Sequence, residues 1–242
     1  MKIARILAVP ALLLLACSSE TAKPEQETGL PPTGDPGTTG ETPANVDAPD
    51  TNPDGVPYPT SNLGTKARIG SSAGNRINNY KFYGYPDANP ANGLQAMSLA
   101  NFYDPDGKRI KLLHIQAAGV WCVYCQKETE IVVPMKAKLD EMKVVWLVSL
   151  AEGPAQGTPS KEKDLQGWIS EFKSPYPHVI DPGNKNLGVF YDAAALPWNA
   201  NINARTMEIL SAGTGAQTTE AGILDEVNEW LPKIDSGELT IK

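Results

Sequence analysis

Two short apolar runs constrain the fold of this chain more than any other feature of its sequence. Residues 110–117 and 143–150 are almost continuously apolar, a pattern typical of strands that are covered on both faces of a sheet. Residues 122–142, between them, have the pattern of a helix. A helix that links two buried strands indicates an α/β sheet built around those strands.

The other predicted elements continue this alternation. Strands at 80–85 and 97–103, separated by a stretch rich in Pro, Asn and Gly, predict an N-terminal β-hairpin. A helix at 161–172 is predicted with Ser160 as its cap. The remaining elements are a short strand at 178–180, a helical turn at 186–191, strands at 198–203 and 208–212, and a helix at 219–231. We identify one folded domain and no internal repeat.

The N-terminus has the layout of an export signal. Residues 1–16 combine two early basic residues, Lys2 and Arg5, with an apolar run at 6–15 and a small residue before a cysteine. The apolar run is too short to span a bilayer permanently. We therefore predict a signal peptide at 1–16 and an exported mature protein.

The residues around Cys17 add a second expectation. Leu-Leu-Ala-Cys at 14–17 resembles the lipobox of bacterial lipoproteins, which implies cleavage before Cys17 and lipid attachment to its sulfur. Ser18 in the next position resembles the sorting pattern of outer-membrane lipoproteins. We expect a lipid-anchored protein of the bacterial cell envelope, preferably in the outer membrane. The alternative is an ordinary secretory signal in which Cys17 stands by chance.

The segment that follows predicts a disordered tether at 17–62. It holds nine of the 21 prolines, and its first aromatic residue is Tyr58, so it has little apolar surface to bury. It also explains the acidity of the chain, whose formal net charge is −7: residues 18–60 carry eight acidic residues and one lysine, whereas residues 61–242 carry 20 acidic and 18 basic residues. The domain predicted at 63–242 is thus nearly neutral and has no basic cluster, which excludes nucleic acid as a partner.

Two cysteines carry the chemistry that the sequence indicates. Cys122 and Cys125 are separated by two residues and stand where a buried strand leads into a helix. Free N–H groups at a helix N-terminus stabilise a thiolate, so Cys122 could attack a disulfide and Cys125 could resolve the product. The alternatives are a static structural disulfide and half of a metal site. The only histidines, His114 and His178, do not have the spacing of a short zinc module, and we predict no metal and no cofactor.

Several separated features carry a resemblance to a known family. A strand precedes Trp121-Cys122-Val123-Tyr124-Cys125, Glu128 follows three residues later, and Leu196-Pro197 precedes a later strand. In this order they resemble the thioredoxin superfamily, and more narrowly the membrane-tethered TlpA/ResA-like redoxins of bacterial envelopes. The similarity covers residues 75–235. It implies a thioredoxin-like α/β fold with the N-terminal β-hairpin and a central αβ insert at 176–191, preceded by the disordered tether.

The resemblance also implies roles for individual residues. Pro197 is expected to be cis and to face the disulfide, and the backbone of Leu196 to pair with a substrate peptide. Trp121, Leu196 and Pro197 are therefore the expected substrate-binding residues. Glu128 matches an acid that tunes the cysteines or relays protons to them, and we predict it to be catalytic with both cysteines. A second interpretation of Glu128 is a first-turn acid that complements the helix dipole.

Some positions depart from the family pattern. Glu130 stands where a proline is common and Pro134 lies further along, so any helix kink is expected to be displaced. Gln116 occupies a position where thioredoxin has a buried Asp, and an amide takes up no proton. His114 is expected to share a face of the strand with Gln116, and the sequence favours a hydrogen-bonded core histidine there over a catalytic one. Trp198 either narrows the substrate groove or packs in the core.

Together these features predict a membrane-anchored thiol-disulfide oxidoreductase that reduces or exchanges disulfides in envelope proteins. Its expected partners are protein or small-molecule disulfides and a membrane or periplasmic electron donor, and we expect a monomer. One alternative is a binding lipoprotein of the same fold with a static disulfide. The other is a thiol peroxidase of the superfamily, which the absence of a Pro-x-x-x-Thr/Ser-x-x-Cys motif around Cys122 disfavours.

Overall fold

The computed structural model describes residues 46–63, 74–192 and 194–238. The predicted signal peptide, the predicted lipidation site Cys17 and the tether as far as residue 45 lie outside the described residues. Among the helices that are described, none is long and apolar enough to cross a membrane.

Within the described residues, seven strands form one mixed sheet. They are β1 (Lys81–Tyr85), β2 (Gln95–Ser98), β3 (Leu112–Gly119), β4 (Val144–Glu152), β5 (His178–Ile180), β6 (Trp198–Asn203) and β7 (Glu208–Thr214). The strand order is β2-β1-β5-β4-β3-β6-β7. Strands β3, β4 and β5 pair in parallel, and the other neighbours pair antiparallel. Every residue of β3 is buried, which confirms the prediction of a central strand covered on both faces.

In the described ranges, four α-helices cover this sheet. They are α1 (Val123–Val132), α2 (Lys136–Glu141), α3 (Glu162–Phe172) and α4 (Glu220–Ser236). Helices α1 and α4 pack on β3 and on each other, α2 packs on β4, and α3 packs on β5. Helix α4 begins at a cap in which the N–H of Gly222 donates to Thr219 Oγ1 over 3.0 Å, and it ends at Gly237. Its C-terminal end lies beyond the predicted one because the helix continues through Pro232 and buries Ile234.

The helix predicted at 122–142 is interrupted. A short 3-10 helix, Val133–Met135, separates α1 from α2 and contains Pro134. Proline has no N–H to donate and its ring clashes with the preceding turn, so the α-helical hydrogen bonds are broken there. The interruption therefore lies at Pro134, as predicted from the sequence, and not at Glu130.

Two local predictions are wrong. The strand predicted at 97–103 ends at Ser98, because the Asn101 side chain accepts the Ser98 N–H over 2.7 Å and a 3-10 helix, Leu99–Phe102, follows. Ser160 does not cap α3, since its hydroxyl donates to the carbonyl of Leu150 over 2.7 Å. The cap position is Lys161, whose N–H donates to a carboxylate in the first turn of the helix.

The central insert follows the predicted plan with one difference. Strand β5 pairs with β4 in parallel and with β1 antiparallel, and so joins the hairpin to the rest of the sheet. The single helical turn predicted at 186–191 is replaced by two short 3-10 helices, Pro182–Asn184 and Leu187–Val189. The carboxylate of Asp181 organises this region by accepting the N–H groups of Asn186 and Leu187, both over 2.9 Å.

The predicted tether extends too far at its C-terminal end. Residues 46–63 lie on the domain, where Tyr58 is buried and donates its hydroxyl to the carbonyl of Ile77 over 2.6 Å. Asn52 accepts the N–H groups of Asp54 and Val56 on its side-chain oxygen. The Asn52 side-chain amide holds this turn on the domain by donating to the carbonyl of Tyr103 over 3.1 Å. A polar, proline-containing sequence can therefore still be ordered where its few apolar side chains find a surface to cover.

Candidate active site

Cys122 and Cys125 form a disulfide at the N-terminus of α1. Cys122 is the cap residue of the helix, and the N–H of Cys125 donates to its sulfur over 3.1 Å. Both cysteines are almost fully covered, with exposed fractions of 2% for Cys122 and 0% for Cys125. The N–H that points at the Cys122 sulfur would stabilise negative charge on that sulfur once the disulfide is reduced.

Two exposed side chains lie between the cysteines in the sequence. Val123 and Tyr124, the two residues between the cysteines, are 70% and 66% exposed. Trp121, which precedes Cys122, donates its indole N–H to a carboxylate oxygen of Glu152 over 2.6 Å. The exposed apolar surface beside the disulfide is therefore formed by the dipeptide between the cysteines.

Gly119 allows Trp121 and Leu196 to approach each other. A Cβ atom on Gly119 would lie 2.9 Å from Trp121 Nε1 and 3.2 Å from a methyl carbon of Leu196. These distances are shorter than ordinary carbon contacts, so a larger residue would push one neighbour away. The structure thus brings two of the three predicted substrate-binding residues together at the carboxyl end of β3.

The third predicted residue, Pro197, follows directly. The peptide bond between Leu196 and Pro197 is cis, and the carbonyl of Pro197 accepts the N–H of Gly215 over 3.0 Å. Within the described part of the chain, no backbone hydrogen bond is made by Leu196.

Glu128 is a buried carboxyl group on the same face of α1 as Cys125, since residues three apart share a helix face. Its oxygens accept hydrogen bonds from Gln116 Nε2 over 2.9 Å, from the Asn199 amide over 3.0 and 3.1 Å, and from the N–H of Gln217 over 2.7 Å. Burial raises the pKa of Glu128 to about 7, although these hydrogen bonds oppose the rise. A carboxyl group with this pKa can both give and take a proton near neutral pH.

Gln116 links Glu128 to the cysteine pair. Its Nε2 donates to the carbonyl of Cys125 over 3.2 Å as well as to Glu128, and its oxygen accepts from Thr129 and Trp146, both over 3.3 Å. Every polar atom of this buried amide is therefore used. The expectation that Glu128, and not residue 116, is the group able to hold a proton here agrees with this arrangement.

The two residues with undecided roles are both buried. The ring of His114 stacks on Trp146 at 3.7 Å and contacts the Asn201 and Asn199 side chains, as expected of a hydrogen-bonded core histidine. Trp198 stacks against Phe190 and Tyr191 with ring centroids 5.3 and 5.4 Å apart. Trp198 therefore packs in the core.

Sequence reasoning missed three contributors to this site. Asn199 contacts Glu128 from β6, and the alternation of Asn199 and Asn201 on a predicted strand was a signal for it. Glu152 holds Trp121 and also accepts the N–H of Gly157 over 3.0 Å. Gln217 acts through its backbone N–H, which any residue but proline would supply. No group of three or more His, Cys, Asp or Glu side chains in the described ranges is placed to hold a metal ion.

A helix that starts at a Cys-x-x-Cys pair follows the central strand of the mixed sheet, and this arrangement is that of a thioredoxin-like fold. No protein-family model matches the sequence, and no curated protein is significantly similar to it.

Solved structures share this fold at low sequence identity. A Chlorobium tepidum protein described as thiol:disulfide interchange protein DsbE is 13% identical, with a TM-score of 0.50 over 66% of this chain and 97% of the other. A Bacteroides thetaiotaomicron protein described as a protein disulfide isomerase is 14% identical, with a TM-score of 0.52 over 70% and 96%. AhpC from Enterococcus faecalis is 13% identical, with a TM-score of 0.51 over 67% and 93%.

Proposed function

We propose that this protein is a thiol-disulfide oxidoreductase that reduces or exchanges disulfides in proteins of the bacterial envelope. One observation carries the proposal: a Cys122–Cys125 disulfide caps a helix whose next turn holds the buried carboxyl of Glu128. The cap geometry favours a Cys122 thiolate, and Glu128 offers a proton acceptor on the Cys125 side. The names of the DsbE and protein disulfide isomerase structures agree with this chemistry.

The reaction begins in the reduced protein, where the Cys122 thiolate attacks one sulfur of a substrate disulfide. A bond forms between Cys122 and that sulfur, the substrate S–S bond breaks, and the leaving thiolate takes a proton from water. The Cys125 thiol then gives its proton to Glu128, and its thiolate attacks the Cys122 sulfur. The second substrate thiolate leaves and is protonated by water, and two electrons have passed from the protein to the substrate.

Substrate binding uses the surface beside the disulfide. The unpaired backbone of Leu196 can pair with an extended segment of substrate, next to the cis Pro197. The exposed Val123 and Tyr124 offer apolar contact to residues that flank the substrate cysteine. A polypeptide disulfide fits both features, and a membrane or periplasmic dithiol partner would return the oxidised protein to its reduced form.

The site of action is proposed from the N-terminal sequence. The export signal at 1–16 and the lipobox-like residues before Cys17 support a lipid anchor in the cell envelope, with Ser18 favouring the outer membrane. Two or three acyl chains would hold the protein firmly, because each buried methylene contributes about 0.8 kcal/mol. Incorporation of labelled fatty acid into the wild type and its loss in Cys17→Ser tests the anchor; equal labelling of both would refute it.

Insulin reduction tests the proposed activity. The wild type is expected to accelerate precipitation of insulin chains in the presence of dithiothreitol, and Cys122→Ser is expected to lose that acceleration. Cys17→Ser is the matched control, since it removes the third cysteine and is expected to keep full activity. Equal rates for the wild type and Cys122→Ser would contradict the proposal.

The burial of the disulfide favours a second candidate, a binding lipoprotein whose disulfide is static. At 2% and 0% exposure the two sulfurs are largely covered in the oxidised form, and a structural disulfide typically has a potential below about −300 mV. Equilibration with defined thiol buffers separates the two candidates. Reduction of the pair at the potential of glutathione buffers supports the oxidoreductase, whereas resistance at that potential supports the binding protein.

A further inference from the structure

A buried polar layer lies on the face of the sheet that α1 covers. His114 and Gln116 are two residues apart on β3, and Asn201 and Asn199 stand directly opposite them on β6. Because side chains alternate along a strand, all four point to the same face. The proposed reaction gives Glu128 a task, but it leaves His114 without one.

The orientation of the Asn199 amide is determined by its acceptors. Its Nδ2 lies 3.1 and 3.0 Å from the two carboxyl oxygens of Glu128 and 2.8 Å from the carbonyl oxygen of Gly215. The Gly215 carbonyl can only accept, so the amide nitrogen lies on this side and the amide oxygen faces the other way, where it lies 3.1 Å from His114 Nε2. An amide oxygen accepts and does not donate, and Nε2 of His114 therefore carries a hydrogen.

The partners of the other ring nitrogen, Nδ1, determine whether Nε2 carries its hydrogen only in the charged ring or also in the neutral ring. Nδ1 of His114 lies 2.9 Å from the Asn201 side-chain oxygen, and the Asn201 amide nitrogen lies 3.1 Å from Ser211 Oγ. Burial lowers the pKa of His114, and in a neutral ring Nδ1 accepts. Rotation of the Asn201 amide by half a turn lets its nitrogen donate to Nδ1. Its oxygen then accepts from Ser211, whose hydroxyl can donate as well as accept. Nε2 keeps its hydrogen in both forms, so the contact with Asn199 persists in both.

Asn199 needs such a restraint because it borders solvent. It lies in the wall of an open cleft of about 350 Å³, together with Ser211, Gln217 and Glu226. Water in this cleft can replace the hydrogen bonds of an amide that turns away from Glu128. A turned amide would direct its oxygen at the carboxylate, and an acceptor would then face the two oxygens that now receive a donor.

We propose that His114 is a positioning residue for Glu128: its Nε2–H holds the Asn199 amide with the nitrogen toward the carboxylate, and so favours the ionised form of Glu128. This inference rests on the proposed function for the use that catalysis makes of Glu128. The hydrogen bonds that join His114, Asn199 and Glu128 are present in the oxidised protein without substrate. Loss of the Nε2–H is therefore expected to change the titration of Glu128 even where no turnover takes place.

Three substitutions of His114 separate the hydrogen bond from the packing. His114→Phe keeps a ring against Trp146 and removes both ring nitrogens. His114→Gln and His114→Asn are a matched pair of amides, in which the glutamine reaches the position of Nε2 toward Asn199 and the asparagine reaches only that of Nδ1. If the phenylalanine variant does not fold, the two amides still provide the comparison.

The measurement is the pH titration of the Glu128 carboxyl carbon by NMR in the oxidised full-length protein, assigned with Glu128→Gln. The titratable groups around this carboxyl are Cys125 on its own helix, His114 on β3 and Glu226 on α4, which accepts from the Gln217 side chain. Holding the disulfide closed removes the titration of Cys125, and a Glu226→Gln background removes that of α4.

The expected result is an apparent pKa of Glu128 that rises by about one unit in His114→Phe and His114→Asn, because a hydrogen bond to a charged group is weakened. In His114→Gln the value is expected to stay within about 0.3 units of the wild type, because its N–H restores the donor to Asn199. Equal titration of Glu128 in all four proteins would overturn the proposal, as would a shift in the glutamine variant as large as in the asparagine variant. Either failure would leave the insulin result unaffected, since the titration is measured without turnover.

Discussion

The raised pKa of Glu128 makes the stability of the folded protein depend on pH in a direction opposite to that of an ordinary salt-bridged carboxylate. Burial raises this pKa from 4.5 to about 7, so the folded protein binds the proton of Glu128 more tightly than the unfolded chain does. Below about pH 4.5 the carboxyl group is protonated in both states and does not lower the free energy of unfolding. Between about pH 4.5 and 7 the unfolded chain releases this proton while the folded protein keeps it, so the free energy of unfolding falls by about 3 kcal/mol, at 1.36 kcal/mol for each unit of the shift, and the loss is complete above pH 7.

Urea unfolding of the oxidised protein between pH 4 and pH 8 tests this dependence. We expect the wild type to lose about 3 kcal/mol relative to Glu128→Gln across that range. The buried histidines have lowered pKa values and contribute with the opposite sign, but they are present in both proteins and cancel in the difference. Glu130→Gln, an exposed position on the same helix, is the matched control and is expected to follow the wild type. Parallel curves for the wild type and Glu128→Gln would refute the reasoning.

Two further predictions concern packing. Gly119→Ala is expected to cost about 1–3 kcal/mol of stability and to slow insulin reduction, because its Cβ would lie 2.9 Å from the Trp121 indole. The control is Gly213→Ala, whose Cβ would meet no atom within 4 Å. Equal effects of the two substitutions would contradict the close approach at Gly119. Tyr58→Phe is expected to cost about 1 kcal/mol in thermal or urea unfolding by removing the hydroxyl that donates to the Ile77 carbonyl, whereas unchanged stability would show that this hydrogen bond does not stabilise the fold.

Local sequence patterns predicted most of the sheet, and the errors have local physical causes. Continuous apolar runs located β3 and β4 because a strand covered on both faces has no polar side. The same logic failed at residues 99–102, where buried apolar side chains belong to a 3-10 helix that the Asn101 side chain starts. Apolar content alone does not distinguish these two conformations when a polar side chain bonds to the backbone.

The candidate site was predictable where its residues share one motif. Cys122, Cys125 and Glu128 lie within seven positions, and the helix period brings them together. Asn199 comes from a strand more than 70 residues away, so its contact with Glu128 depends on the register of β3 with β6, which the sequence does not display. Gln217 contributes only its backbone N–H. Every residue except proline has this group, so the residue type at this position does not reveal the contact.

Covalent trapping tests the cycling of the cysteine pair most directly. In Cys125→Ala, the Cys122 thiolate can attack a model peptide disulfide but no neighbouring thiol can release the product. Intact mass and peptide mapping are expected to find one peptide thiol attached to Cys122 in this variant, and no such adduct in the wild type, which closes its own disulfide instead. Absence of the adduct on Cys122, or its equal formation on Cys125 in Cys122→Ala, would contradict the assignment of Cys122 as the attacking thiol.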